Sequence, residues 1–256
     1  MRVVQLTVVD AFTDRAFAGN PAAVAVVEAF PPDERMQEIA GEMNLAETAF
    51  VVPRADGEYD LRWFTPTIEV PLCGHATLAA AHLLGGTVAF HTRSGRLACV
   101  GGEGGIEMDF PSTPPISADL PFLPVGLPTP VFCGRAQDYW FVELPSADEV
   151  RAFEPDQAEI ARLGRRAFGI TARAEAGTGF DVVSRMFAPN AGIPEDPVTG
   201  SLHCIVAPYW ASKLGRTELV GHQASRRGGT VRMRLAGDRV VLGGRAVTVS
   251  VVELLV

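Results

Sequence analysis

The sequence predicts an α+β protein of two pseudo-symmetric halves, each a β-barrel or curled sheet wound around one central helix. Three observations predict it. Two similar phrases lie about 125 residues apart. Phe64-Thr65-Pro66 leads into Pro71-Leu72-Cys73-Gly74-His75-Ala76-Thr77, and Phe187-Ala188-Pro189 leads into Glu195-Asp196-Pro197-Val198-Thr199-Gly200-Ser201. Each phrase opens a helix-like run, His75 to Leu84 and Ser201 to Leu214, and a helix as apolar on every face as the first belongs in the centre of its half. Between the halves, seven of the twenty residues from Pro111 to Pro130 are proline. Proline lacks an amide donor and fixes φ, so this stretch excludes a helix or central strand and marks a linker. The expected domains are residues 1–115 and 116–256, with the strand near 246–256 a candidate to return to the first.

Short runs with many β-branched residues predict strands at Val3 to Val9, Ala22 to Val27, Thr48 to Val52 and Tyr59 to Phe64. The strand reading covers the amino terminus from Met1, where Asp10 and Asp14 break the apolar stretch too early for a signal peptide. Pro31 to Met43 carries acidic residues early and Met36, Ile39, Ala40 and Met43 at helical spacing, which predicts a helix. Gly101 to Gly105 lacks the strand-to-helix setting of a dinucleotide loop and reads as a hairpin turn. In the second half, Tyr139 to Leu144 and Phe180 to Phe187 are strand-like, Ala147 to Phe153 and Asp156 to Leu163 helix-like. Strands follow at Thr230 to Leu235, Arg239 to Leu242 and Ala246 to Leu255, with turns at Gly237-Asp238 and Gly243-Gly244.

The 256 residues, 47% hydrophobic and 20% charged, describe an ordinary folded chain. A formal charge of -8 disfavours a nucleic-acid partner, because phosphate contacts need a basic face. Arg165-Arg166 and Arg226-Arg227 are isolated pairs rather than a basic stripe. No segment approaches the ~20 apolar residues of a membrane helix. Cys73, Cys99, Cys133 and Cys204 form no C-x-x-C pair, which argues against structural zinc and a disulfide framework. The cytoplasm is the default location.

Four places offer chemistry. Glu47 stands among Leu45, Ala46, Ala49 and Phe50, where lost hydration would fit a carboxylate to move a proton near neutral pH. Taken locally, strand alternation more simply turns Glu47 to solvent. His75, at a helix start, is either a packed capping histidine or a neutral imidazole aimed at whatever the free amides bind. His82, two turns on among alanines and leucines, reads as a core residue. Asp196 is stiffened by Pro194 and Pro197, and Gly200 with Ser201 offers helix-terminal amides to a carboxylate. A plain helix start with Thr199 or Ser201 as N-cap explains the hydroxyls but not the held aspartate. Cys73 reads better as core packing than as a thiolate.

At these residues the chain closely resembles the PhzF-like phenazine-biosynthesis family of the diaminopimelate-epimerase fold superfamily. The matching phrases include Val9-Asp10-Ala11-Phe12-Thr13, Phe17-Ala18-Gly19-Asn20-Pro21-Ala22-Ala23-Val24 and Asn44-Leu45-Ala46-Glu47-Thr48-Ala49-Phe50. The run from Arg62 to Thr77, Glu195 to Ser201, and Gln223-Ala224-Ser225-Arg226-Arg227-Gly228-Gly229 continue the match along the whole chain. The resemblance implies an epimerase-like fold with the active site in the cleft between the domains, no metal or organic cofactor, and a homodimer. It implies Glu47 as proton shuttle, His75 and Asp196 as assisting residues, and Gly74, Gly200 and Ser201 as binders of a small carboxylate substrate. It also overturns the solvent-facing reading of Glu47. The superfamily's epimerases pair two thiols, but only Cys73 stands at such a loop here; Cys204 lies a turn inside its helix. The expected activity is therefore an isomerase with a single carboxylate moving a proton. The rivals are an amino-acid racemase or epimerase using Cys73, and a non-catalytic binding or scaffold protein of the same fold.

Overall fold

The structure is a computed structural model that describes residues 3–255. Met1 and Arg2, the start of the expected first strand, and Val256 lie outside the described residues. In chain order the elements begin β1 (Val3–Ala11), β2 (Asn20–Val26), α1 (Asp33–Met43), β3 (Glu47–Pro53), β4 (Tyr59–Phe64) and β5 (Glu69–Val70). Next come α2 (Gly74–Leu84), β6 (Val88–Thr92), β7 (Gly95–Gly102), β8 (Gly105–Pro111), β9 (Ile116–Ser117), β10 (Phe132–Ala136) and β11 (Tyr139–Glu143). Then follow α3 (Ala147–Ala152), α4 (Gln157–Arg162), β12 (Ala167–Arg173), β13 (Val182–Phe187) and α5 (Gly200–Leu214). The chain closes with β14 (Glu218–Gln223), β15 (Gly229–Ala236), β16 (Arg239–Gly244) and β17 (Ala246–Leu255).

Two compact units emerge. One comprises the chain through Asp109 together with the residues from Gly243 onward; the other is Phe110–Leu242. Within the first, β1 pairs antiparallel with both β17 and β2, β2 is parallel to β3, β3 antiparallel to β4, β4 parallel to β6, and β6 antiparallel to β7. Within the second, β10 is antiparallel to β11, β11 parallel to β12, β12 antiparallel to β13, β13 parallel to β14, and β14 antiparallel to β15. From β1–β2 and from β10–β11 the two series read alike. A parallel pair needs a crossover, and helices supply it: α1 and α2 in the first unit, α3 with α4 and then α5 in the second. The internal repeat seen in the two phrases is thus a repeat of topology.

Helix α1 begins after Pro32 with Asp33 and Glu34 in its first turn, where negative charge suits the helix dipole. It buries Met36, Ile39 and Ala40, and ends where Asn44 adopts the left-handed region and donates its N–H to Ala40 O at 3.1 Å. Those side chains join Leu6, Phe50 and Phe64 in the first core, while Trp140, Phe153, Phe168, Ile170 and Phe187 anchor the second. Helix α2 buries every residue from His75 to Ala81 and packs on β1, β2, β3 and β17. Helix α5 packs on β14 and β15. Pro208 stands inside it and cannot donate to Cys204 O; the N–H of Thr113, from the proline-rich stretch, takes that carbonyl at 3.0 Å. No helix among the described residues is long and apolar enough to cross a membrane.

Some expectations change. The Gly101 to Gly105 turn joins β7 to β8, with Gly102 opposite Gly105, as expected of a hairpin. His82 is not a core residue: α2 surfaces in its last turn, leaving His82 half-buried with Nε2 3.2 Å from Thr248 Oγ1. The linker carries a two-residue strand, β9, paired with β10.

Candidate active site

Glu47 is the first residue of β3, beside β2 at Ala22, and His75 is the second residue of α2. Their side chains meet: His75 Nε2 lies 3.1 Å from Glu47 Oε2, with the side chains 7% and 13% exposed. Strand alternation alone would have turned Glu47 to water, but α2 covers it. On the other edge of the imidazole, Nδ1 is 3.2 Å from Asn20 Nδ2 and 3.5 Å from Cys73 Sγ. Burial works against a charged imidazole. The Cys73 sulfur and the Glu47 carboxylate more than offset it, so the His75 pKa ends well above its usual value. Burial, then the Glu47 charge, push the Cys73 thiol up.

The segment that delivers Asn20 is stiffly built. Phe12 and Phe17 both hold positive φ, Asp10 Oδ2 accepts the N–H of Phe17 at 2.7 Å, and Gly19 turns the chain at φ 65. A Cβ on Gly19 would stand 2.1 Å from Ala11 O, so only glycine fits. Phe17 leaves its ring 78% exposed.

In the second unit Asp196 is 7% exposed and closely tied. Its N–H donates to Met186 O at 3.0 Å, and the Thr199 hydroxyl donates to its carboxylate. Thr199 occupies the N-cap position of α5, yet its hydroxyl serves Asp196 rather than the helix. Buried Gln223 completes the clamp: Nε2 donates to Asp196 O at 2.7 Å, and Oε1 accepts the N–H of Thr199 at 2.9 Å. Ser225 Oγ donates to Pro197 O at 2.7 Å. Arg185 grips the adjacent Glu195 through Nε at 2.7 Å and Nη2 at 3.1 Å. Gly200 is half-buried at the first turn of α5, and exposed Ser201 shares a 2.6 Å hydrogen bond with the Tyr139 hydroxyl. Burial above all pushes the Tyr139 phenol up to about 12.

The structure therefore brings Glu47, His75 and Cys73 together, with Gly74 at the same helix start, in the first unit. It gathers Asp196, Gly200 and Ser201 at the start of α5 in the second. Asn20, Gln223 and Tyr139 support these groups and were not singled out in the sequence, whereas Thr199 was read there as a candidate N-cap. The signal existed for two of them: Gly19-Asn20-Pro21 and Gln223-Ala224-Ser225 lie in the matching phrases. Glu47, Cys73 and His75 also offer three donor atoms within 4.8 Å of one another, so they could hold a metal ion.

The sequence model of the phenazine biosynthesis-like family (PhzC-PhzF) matches residues 9–122 and 126–251. The chain is 43% identical over 266 residues to an uncharacterized isomerase of Halalkalibacterium halodurans, covering 100% of each. A crystal structure of a PhzF-family phenazine biosynthesis protein from Enterococcus faecalis superposes with a TM-score of 0.93 at 37% identity, again over 100% of both chains. A hydroxyproline epimerase of Agrobacterium vitis shares the fold alone, at 12% identity and a TM-score of 0.63 over 99% of this chain and 92% of that one. With the family's phrases placed at two helix starts and the match running through both units, this chain belongs to the phenazine biosynthesis-like protein family.

Proposed function

We propose that this protein is a cofactor-independent isomerase that moves a proton within a small carboxylate-bearing substrate, one akin to a cyclic or aromatic amino acid. Glu47 is the acid/base. Its carboxylate takes a proton from one carbon, the electron pair shifts through the substrate, and the same carboxyl returns the proton at another carbon. Nothing else is consumed. The observation that carries the reading is the 3.1 Å approach of Glu47 Oε2 to the buried Nε2 of His75. A cationic imidazole there faces and orients the carboxylate, and burial keeps water from competing for the proton. Asp196 assists, and the helix-start groups Gly74, Gly200 and Ser201 bind the substrate's carboxylate. The isomerase naming of a relative at 43% identity supports the reaction class. A homodimer in the cytoplasm belongs to the same reading.

Deuterium exchange into candidate carboxylates tests it. Glu47→Gln should bind such a ligand and lose exchange by ~10²–10⁴-fold, the usual scale of a general base. Full exchange in that variant would refute the assignment.

One contact favours a second reading. Cys73 Sγ lies 3.5 Å from His75 Nδ1, so a thiol–imidazole pair could epimerise an amino acid. That reading requires α-carbon exchange to vanish in Cys73→Ala and survive in Glu47→Gln.

A further inference from the structure

The donors around His75 are of three kinds: a carboxylate oxygen, a thiol sulfur and an imidazole nitrogen, all within 4.8 Å of one another. His75 is 5% exposed, and its Nε2 makes no hydrogen bond of acceptable angle, although Glu47 Oε2 is within ion-pair reach. Nε2 and Oε2 thus face each other at 3.1 Å with both side chains nearly buried, a spacing that two donors on one tetrahedral ion share. The other His/carboxylate cluster of the first unit differs. Around Asp56, Glu58 and His91 the carboxylates are already engaged by Arg54 and Arg96, at 3.3 and 2.7 Å.

We propose that Glu47, Cys73 and His75 bind a zinc-class divalent cation, and that its binding switches the enzyme off. Donor chemistry selects the ion. Calcium and magnesium demand oxygen ligands, whereas sulfur, imidazole and carboxylate together suit zinc. Metal–ligand bonds of about 2.0–2.3 Å require these side chains to close in by roughly 1 Å. Three protein donors leave a further position for water. Binding releases two protons, one from the Cys73 thiol and one from the His75 imidazolium. A coordinated Glu47 can no longer carry a proton, so the inhibitory half of the proposal rests on the proposed role of Glu47, while the binding half does not.

Metal-free full-length protein titrated with Co²⁺ reads the binding directly. The expected result is one equivalent bound with a sulfur-to-cobalt charge-transfer band, displaced by Zn²⁺. Cys73→Ala should abolish the band, and Cys133→Ala, at the one cysteine that is not buried, should leave it intact. Glu47→Gln and His75→Ala should each weaken Zn²⁺ binding at least about tenfold. If Cys73→Ala does not fold, Cys73→Ser removes the sulfur and serves instead. A band that survives loss of Cys73, or no saturable binding, overturns the site. In a parallel assay, Zn²⁺ should stop proton exchange with the midpoint seen for binding, and a chelator should restore it. Binding without inhibition overturns the switch. Absence of exchange in metal-free protein counts against the isomerase reading, while the cobalt spectrum still decides the site.

Discussion

Gln223 holds Thr199 at both ends of one amide: Oε1 accepts the Thr199 N–H at 2.9 Å, and Nε2 lies 3.2 Å from the Thr199 hydroxyl oxygen. Because that oxygen already receives a proton from Gln223, its own proton is directed to the Asp196 carboxylate. A side chain at the end of β14 thus sets the orientation of a loop some 25 residues earlier.

Replacing Gln223 by Leu should therefore be costly. It strands the buried N–H of Thr199 and the carbonyl of Asp196, at about 1–3 kcal/mol for each group left unsatisfied. Urea denaturation should show a loss of that order. A loss within ±0.5 kcal/mol would mean the loop is held by other contacts.

His203 should make the protein acid-sensitive. It is fully buried, and its Nδ1–H donates to Thr199 O at 2.7 Å. Burial, with a smaller push from His222, lowers its pKa to about 4. A depressed histidine adds stability above its unfolded value near 6.5, and loses it as pH falls from there through the folded value. The full loss approaches about 3 kcal/mol below pH 4. Comparing wild type with His203→Gln in urea at pH 7 and pH 4 isolates it, since the variant should lack this part of the pH slope.

His75 has the opposite sign. Its raised pKa means the folded state holds the proton more tightly, so its contribution is complete below about pH 6.5 and fades as pH climbs through the folded value. The melting-temperature gap between wild type and His75→Gln should be widest at pH 6 and narrow by pH 9. A gap that widens with pH would show that anionic neighbours do not hold the proton there.

Gly19→Ala should unfold the turn before Asn20. The left-handed backbone alone costs about 1–2 kcal/mol, and the overlap with Ala11 O adds to it. Thermal melts should fall clearly, with the imidazole of His75 losing its Asn20 contact. An unchanged melt would mean the turn rearranges freely.

Much of this was legible in sequence because the signals are local. The buried helices announce themselves by lacking a polar face, and α1 by Met36, Ile39 and Ala40 at helical spacing. Strands such as β12 were not legible. Buried from Ala167 to Ala172 without a break, it shows no alternation, and its parallel partner β11 is reached through a crossover. Glu47 is the sharper case. Its apolar neighbours leave both a covered and a solvent-facing carboxylate open, because the cover is a helix that starts 27 residues later. The matching phrases single out Glu47 and His75, whose side chains approach to 3.1 Å, yet give no role to Gln223, whose grip on Thr199 depends on tertiary structure.

The adjacency of β1 and β17, with Val3 opposite Leu255, imposes an order on biosynthesis. The unit from Phe110 to Leu242 is one unbroken stretch and can complete its sheet while the ribosome is still reading. The unit that carries Glu47 cannot, because β17, a partner of β1, is translated only after Phe110–Leu242. A message cut after Gly244 would release a chain in which that stretch is complete while β1 has lost one of its two neighbours.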